Sequence, residues 1–166
     1  MAILKHISVK NRFYSSAVEY LTCQFDEYTN KPVLDEKGRI QERENYLIVG
    51  VNCDVDSFGA ECIEVNRLYG KNNSVKDVKA HHYIISFEPN DPITIEQALE
   101  FGKQWLSVFA PGHQAVVAVH PDGHNGSQNM HVHMVINSVR KYAGKQSRWR
   151  NPVNGSWAVS TKAPGR

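Results

Sequence analysis

The stretch MHVHMVINSV, residues 130–139, constrains this chain more than any other. Side chains on a β-strand alternate between faces with a period of two. Met130, Val132, Met134 and Ile136 therefore share one face, and His131, His133 and Val135 share the other. A uniformly apolar face has to be covered, so this strand is predicted to sit in a sheet with a helix layer against it. The opposite face then carries two imidazoles about 7 Å apart along the strand.

Other segments supply the rest of such a sheet. Residues 3–9 read as a short strand, and YLIVGVNCD (46–54) and HHYIISFEP (81–89) are apolar and β-branched. QAVVAVH (114–120) precedes the histidine strand across a polar loop. A helix is predicted after the first strand, with Ser15 or Ser16 as N-cap and Ala17, Val18, Tyr20 and Leu21 following. Residues 56–70 are predicted as a second helix. The third, TIEQALEFGKQWLSVFAPG, has capping-box spacing at Thr94 and Gln97 and an apolar face with period near 3.6. Residues 28–45 are polar and turn-rich, an exposed connection with at most a small hairpin around Lys37 and Gly38. The expected class is α+β, a central antiparallel β-sheet with helices packed on one face.

At 166 residues and 41% hydrophobic content, a single domain is expected over 1–166. No run approaches the roughly 18 apolar residues needed to span a bilayer, so no membrane insertion is expected. The N-terminus lacks the pattern of a secretory signal. Cys23, Cys53 and Cys62 are an odd number without a CxxC, which fits reduced thiols in a cytoplasmic protein. There is no HExxH, Walker loop or GxSxG, which removes several common hydrolase and nucleotide-binding classes.

After Asp122 the chain has no Asp or Glu, whereas Arg140, Lys141, Lys145, Arg148 and Arg150 follow among Tyr142, Trp149 and Trp157. Cations meet phosphates and flat rings stack on bases. Residues 140–166 are therefore predicted to be a basic tail for a polyanion with exposed bases. Its candidate contacts are Arg140, Lys141, Lys145, Arg148, Trp149 and Arg150. The chain stops at TKAPGR with no closing element, and is expected to be the N-terminal part of a longer protein.

His120 ends the strand before the loop, and an antiparallel return sets His131 beside it. With His133 this makes three imidazoles able to converge on one ion while leaving positions open for substrate. Such a donor set suits Mn²⁺, Zn²⁺, Co²⁺ or Ni²⁺ better than Mg²⁺. Asp122 is expected to accept a hydrogen bond from a ligand imidazole, and His124 to lie in the loop. Asn129 and Asn137 read either as residues that orient ligands or touch a phosphate, or as turn and strand-end residues. Tyr14, Tyr20 and Tyr28 surround the first helix; a phenol attacks poorly at neutral pH unless a cation or base assists.

The segments AVEYL, LIVGVNCD, HHYIISFEPND with its capped helix, and HPD…NMHVHMVIN are carried in that order. In this the chain resembles the nuclease domain of mobilisation relaxases of the MOB-P type, over nearly its whole length. The resemblance implies the histidine-hydrophobic-histidine (HUH) endonuclease fold. It implies Tyr20 as nucleophile, His120, His131 and His133 as metal triad, and His82 or His81 near the scissile phosphate or the phenol. The implied reaction is transesterification on single-stranded DNA at the nic site of a transfer origin (oriT), leaving a 5′-phosphotyrosine and a 3′-hydroxyl that is later rejoined. The expected cofactor is a divalent ion, Mn²⁺ or Mg²⁺ first, with Zn²⁺, Co²⁺ or Ni²⁺ as alternatives. Expected partners are that single strand, an accessory DNA-binding protein and a type IV secretion coupling protein, in a bacterial cytoplasm. Three other readings remain: an HUH replication initiator or transposase, which would use Tyr142, a metal-free single-strand-binding module, and a metallohydrolase that uses water.

Overall fold

In the computed structural model the described residues are 2–10, 14–26, 28–29, 31–44, 46–121 and 129–142. Their element order is β1 (Ile3–Val9), α1 (Tyr14–Thr22), β2 (Leu47–Val51), α2 (Phe58–Leu68), β3 (Ala80–Ser86), α3 (Ile95–Phe109), β4 (His113–His120) and β5 (His131–Arg140). The strands form one sheet in the order β1-β3-β5-β4-β2, with every neighbouring pair antiparallel. The alternating histidine strand is its centre.

The α+β class and the central antiparallel sheet are as expected, but helices cover both faces rather than one. On the first face α3 packs over Val117, Val119, Val132, Met134 and Ile136. On the second, Tyr14 and Leu21 of α1 and Phe58 and Cys62 of α2 cover Val116, Ala118 and Val135. The reason lies in β4, whose residues 115–119 are all apolar and all buried. A strand that is apolar on both sides needs cover on both. Burying a side chain such as Met134 or Ile136, both fully buried here, contributes about 1.5–3 kcal/mol.

Each helix forms for local reasons. In α1, Tyr14, Ala17, Val18 and Leu21 repeat at three and four residues and make the stripe that meets the sheet. The helix starts at Tyr14, so Ser15 and Ser16 fall inside its first turn and neither is the N-cap expected from sequence. In α3 the capping box is formed: Gln97 N–H donates to Thr94 Oγ1 at 3.2 Å, and Thr94 N–H donates to Gln97 Oε1 at 2.9 Å. The strand expected over 46–54 is shorter, because Asn52 takes a left-handed φ of 58° just after β2. The small hairpin is present as a Leu34–Ile40 bridge closed at Gly38, whose φ is 74°. Among the described residues no helix is long and apolar enough to cross a membrane.

Gly102 sets how closely α3 approaches the sheet. A Cβ there would lie 2.8 Å from a methyl of Val117 and 2.8 Å from one of Val132. Gly102→Ala gains about 1 kcal/mol of helix propensity but overpacks a full core at a cost of about 1–3 kcal/mol. A lower denaturant midpoint with unchanged slope is the expected result in chemical unfolding.

Candidate nicking site

The register of the sheet brings the histidines together. His120 and His131 are directly paired across β4 and β5, and His133 lies opposite Ala118. On the other side of β5, β3 pairs His82 with Val135, so His82 and His133 are diagonal neighbours on one face. The ring centroids of His120 and His133 are 4.5 Å apart, and those of His131 and His133 are 6.1 Å apart. His82 and His133 share a hydrogen bond of 3.0 Å between Nε2 and Nδ1. His81 points to the α3 face, where its Nδ1 is 2.9 Å from His6 Nε2, and His82 points to the cluster.

Helix α1 lies over the same face and delivers Tyr20. The half-buried Tyr20 ring stands 6.1 Å from His82, 6.4 Å from His133 and 5.3 Å from Phe25, centroid to centroid. Its neighbour Leu21 is in the last turn of the helix, where carbonyls lack intrahelical partners. The Leu21 carbonyl accepts a hydrogen bond from His120 Nε2 at 2.7 Å, tying the tyrosine helix to the end of β4. Nothing in the local sequence announces this contact, which spans ninety-nine positions.

That bond also determines a tautomer. A carbonyl only accepts, so His120 carries a proton on Nε2. In the same way, a His133 that donates from Nδ1 to His82 keeps its lone pair on the buried Nε2. Burial pushes the His82 imidazole down to about 4, so it is neutral at pH 7 and able to accept that proton. Imidazole nitrogens of this kind fit the donor chemistry of a borderline divalent ion. Among the described residues no group of three or more histidine, cysteine or carboxylate side chains stands in ion-holding geometry. Asp122, the residue expected to support the set, and His124 lie outside the described residues.

The other candidates sit elsewhere. Tyr28 is 96% exposed, and Tyr14 is buried at the far end of α1. The Tyr14 hydroxyl lies 3.0 Å from the Lys79 carbonyl and 3.2 Å from Asn137 Oδ1, and it accepts from Asn66 Nδ2 at 2.7 Å. Burial holds that phenol well above its usual range. Asn137 also donates to Gln114 Oε1 at 3.1 Å, so it serves this buried network rather than the histidines. Arg140 is buried, and Lys141 donates to the Asn52 carbonyl at 3.0 Å and lies 3.7 Å from a Glu61 carboxylate oxygen. Both stand at the end of β5 opposite His131, about 30 Å away along an extended strand. Lys145, Arg148, Trp149 and Arg150 are outside the described residues.

The buried histidines of the α3 face have a consequence for stability. Burial pushes His81 down to about 3 and His113 to about 4. Both folded values lie below the ordinary value near 6.5, so below that pH the unfolded chain binds protons that the folded chain refuses. Stability is therefore complete above about pH 6.5 and lost as pH falls toward 4, at about 1.4 kcal/mol per pH unit for each group. Thermal melts at pH 7 and pH 5 should show a clear drop in midpoint at the lower pH.

Comparison with known proteins identifies the family. The family model for the relaxase nuclease domain, MobA/VirD2-like, matches residues 28–160. "Protein rlx" of Staphylococcus aureus is 37% identical over 97 residues, covering 58% of this chain and 28% of that protein. The "Group II intron-interrupted relaxase LtrB" of Lactococcus lactis subsp. cremoris (strain MG1363) is 40% identical over 94 residues, 56% of this chain and 14% of that protein. The chain thus spans under a third of the length of these relatives. The family match begins downstream of Tyr20 and contains the whole histidine set. With that match over most of its length, the chain belongs to the MobA/VirD2-like relaxase family and carries its nuclease domain.

Proposed function

We propose that this domain nicks and rejoins single-stranded DNA at a transfer origin during conjugation or mobilisation, with Tyr20 as nucleophile. The observation that carries the reading is the placement of Tyr20. It is the tyrosine whose ring reaches both His82 and His133, on a helix pinned by His120. In the reaction the Tyr20 oxygen attacks the scissile phosphorus and the bond to the 3′ oxygen breaks. The phenolic proton ends on that oxygen, and the 5′ phosphate stays on the tyrosine. One phosphodiester replaces another, so the bond energy is kept and the strand can be resealed by the reverse step.

His120, His131 and His133 would hold a divalent ion, Mn²⁺ or Mg²⁺ or another borderline cation, which polarises a phosphoryl oxygen and offsets developing charge. His82 acts as a positioning residue: it orients His133 and fixes its tautomer, in the place a carboxylate often occupies. His82→Phe should therefore raise the Mn²⁺ concentration for half-maximal nicking by about 10–100-fold. Activity should recover at high Mn²⁺; failure to recover would assign His82 a direct role at the phosphate. In a longer protein the strand would be handed to accessory and secretion-coupling partners.

The test is a covalent adduct. Labelled single-stranded DNA carrying the transfer origin is incubated with the domain, with Mn²⁺ or after chelation, and separated under denaturing conditions. A denaturation-resistant adduct formed only with metal is expected. Cleavage without any adduct would instead indicate attack by water.

A further inference from the structure

A cleft of about 590 Å³ opens on the α1 and α2 side of the sheet, between α2, the start of α1 and the segment that leads into β3. Lys10, Arg67 and Lys71 line it and are exposed, and among the described residues its lining has no acidic side chain. No ion pair among the described residues engages these three cations. Ile63 and Val75, 45% and 73% exposed, supply apolar wall beside the charges.

The wall is built rather than loose. Lys79 is buried, and its ammonium donates to the carbonyls of Ser74 and Asp77. Ser74 N–H donates to Asp77 Oδ2 at 3.0 Å. Asn72 holds a left-handed φ of 59°, which Asn tolerates better than most residues, while its amide donates to Ser138 Oγ at 2.9 Å. Asn66, at the floor, is locked to the Tyr14 hydroxyl.

Position relates the cleft to the nicking site. Tyr14 lines it, six residues before Tyr20 on the same helix, an axial distance of about 9 Å. Lys79 lines it three residues before His82, about 10 Å along the extended chain. A stacked strand advances about 3.4 Å per nucleotide, so the gap is about three nucleotides. Exposed cations beside exposed apolar walls suit phosphodiesters with bases between them.

We infer that this cleft is a second grip on the same DNA strand, about three nucleotides from the scissile phosphate, with Lys10, Arg67 and Lys71 on phosphates and Ile63 and Val75 against a base. The inference rests on the relaxase reading for its position, but its test does not depend on chemistry. Binding of a fluorescent oligothymidylate of about twenty nucleotides is followed from 50 to 200 mM salt for wild type and Arg67→Glu/Lys71→Glu. A control, Arg39→Glu/Lys103→Glu, makes the same change of net charge away from the cleft, and folding of each is checked by melting.

The cleft variant should bind at least about tenfold more weakly than the control. Its slope of log affinity against log salt should be shallower by about 1.4, for two lost phosphate contacts at about 0.7 each. Equal loss in both variants would overturn the cleft, as would loss of binding to thymidine monophosphate alone with strand binding intact, which indicates a free-nucleotide site. Failure of the nicking reading would appear separately, as absence of the Tyr20 adduct with binding preserved.

Discussion

Tyr20→Phe should abolish the covalent DNA adduct and reduce nicking by about 10³-fold or more, because the phenolic oxygen is the group that forms the new bond. The substitution removes one oxygen from a half-buried ring and leaves the Phe25 contact in place, so folding should be unchanged. Tyr14→Phe should do the reverse. Its hydroxyl sits between Asn66, Asn137 and the Lys79 carbonyl, and removing it leaves buried polar groups unsatisfied at a cost of about 1–3 kcal/mol. That variant should melt earlier yet form the adduct below its melting point. Tyr142→Phe should do neither, since Tyr142 lies beyond β5 at the end of the sheet opposite His131. An adduct that survived in Tyr20→Phe and vanished in Tyr142→Phe would restore the replication-initiator or transposase reading.

The second large effect belongs to the histidine set. His133→Ala removes the imidazole that approaches His82, His120, His131 and Tyr20 alike. Nicking should fall by about 10²-fold or more, matching the effect of chelation on the wild type. Calorimetric titration with Mn²⁺ supplies a readout independent of activity: heat of binding in the wild type, none in the variant. Single-strand affinity should remain within a few fold, because it comes from cations and stacking rather than from the imidazoles. A variant that lost DNA binding but still took up Mn²⁺ would contradict this division of labour.

Much of this architecture is legible in sequence wherever a period or a local bond carries it. The two-residue alternation of 130–139 places His131 and His133 on one face and Met134 and Ile136 on the other, as the structure shows. The capping box at Thr94 and Gln97 is likewise a local signal, complete within four residues. Contacts between distant segments are not legible in this way. Whether His81 or His82 faces the cluster depends on the register of β3 against β5, and a one-residue slip exchanges them. The bond from His120 to the Leu21 carbonyl uses a backbone atom, which has no sequence identity. The second helix layer is not legible in 130–139, whose alternation demands cover on one face only; it follows from β4, which is apolar and buried on both faces. Arg140 reads in sequence as the start of the basic tail, but strand pairing continues through it and buries it opposite His113.

One tyrosine, Tyr20, should carry the DNA through the reaction. Mapping the adduct tests it most directly: the domain is reacted with single-stranded oriT DNA and Mn²⁺, digested with nuclease and trypsin, and sequenced by fragment mass spectrometry. The tryptic peptide that spans Tyr14, Tyr20 and Tyr28 should carry a 5′-phosphonucleotide, and fragmentation should place it on Tyr20. A phosphonucleotide on Tyr142, or on any residue other than Tyr20, would rule Tyr20 out as the nucleophile.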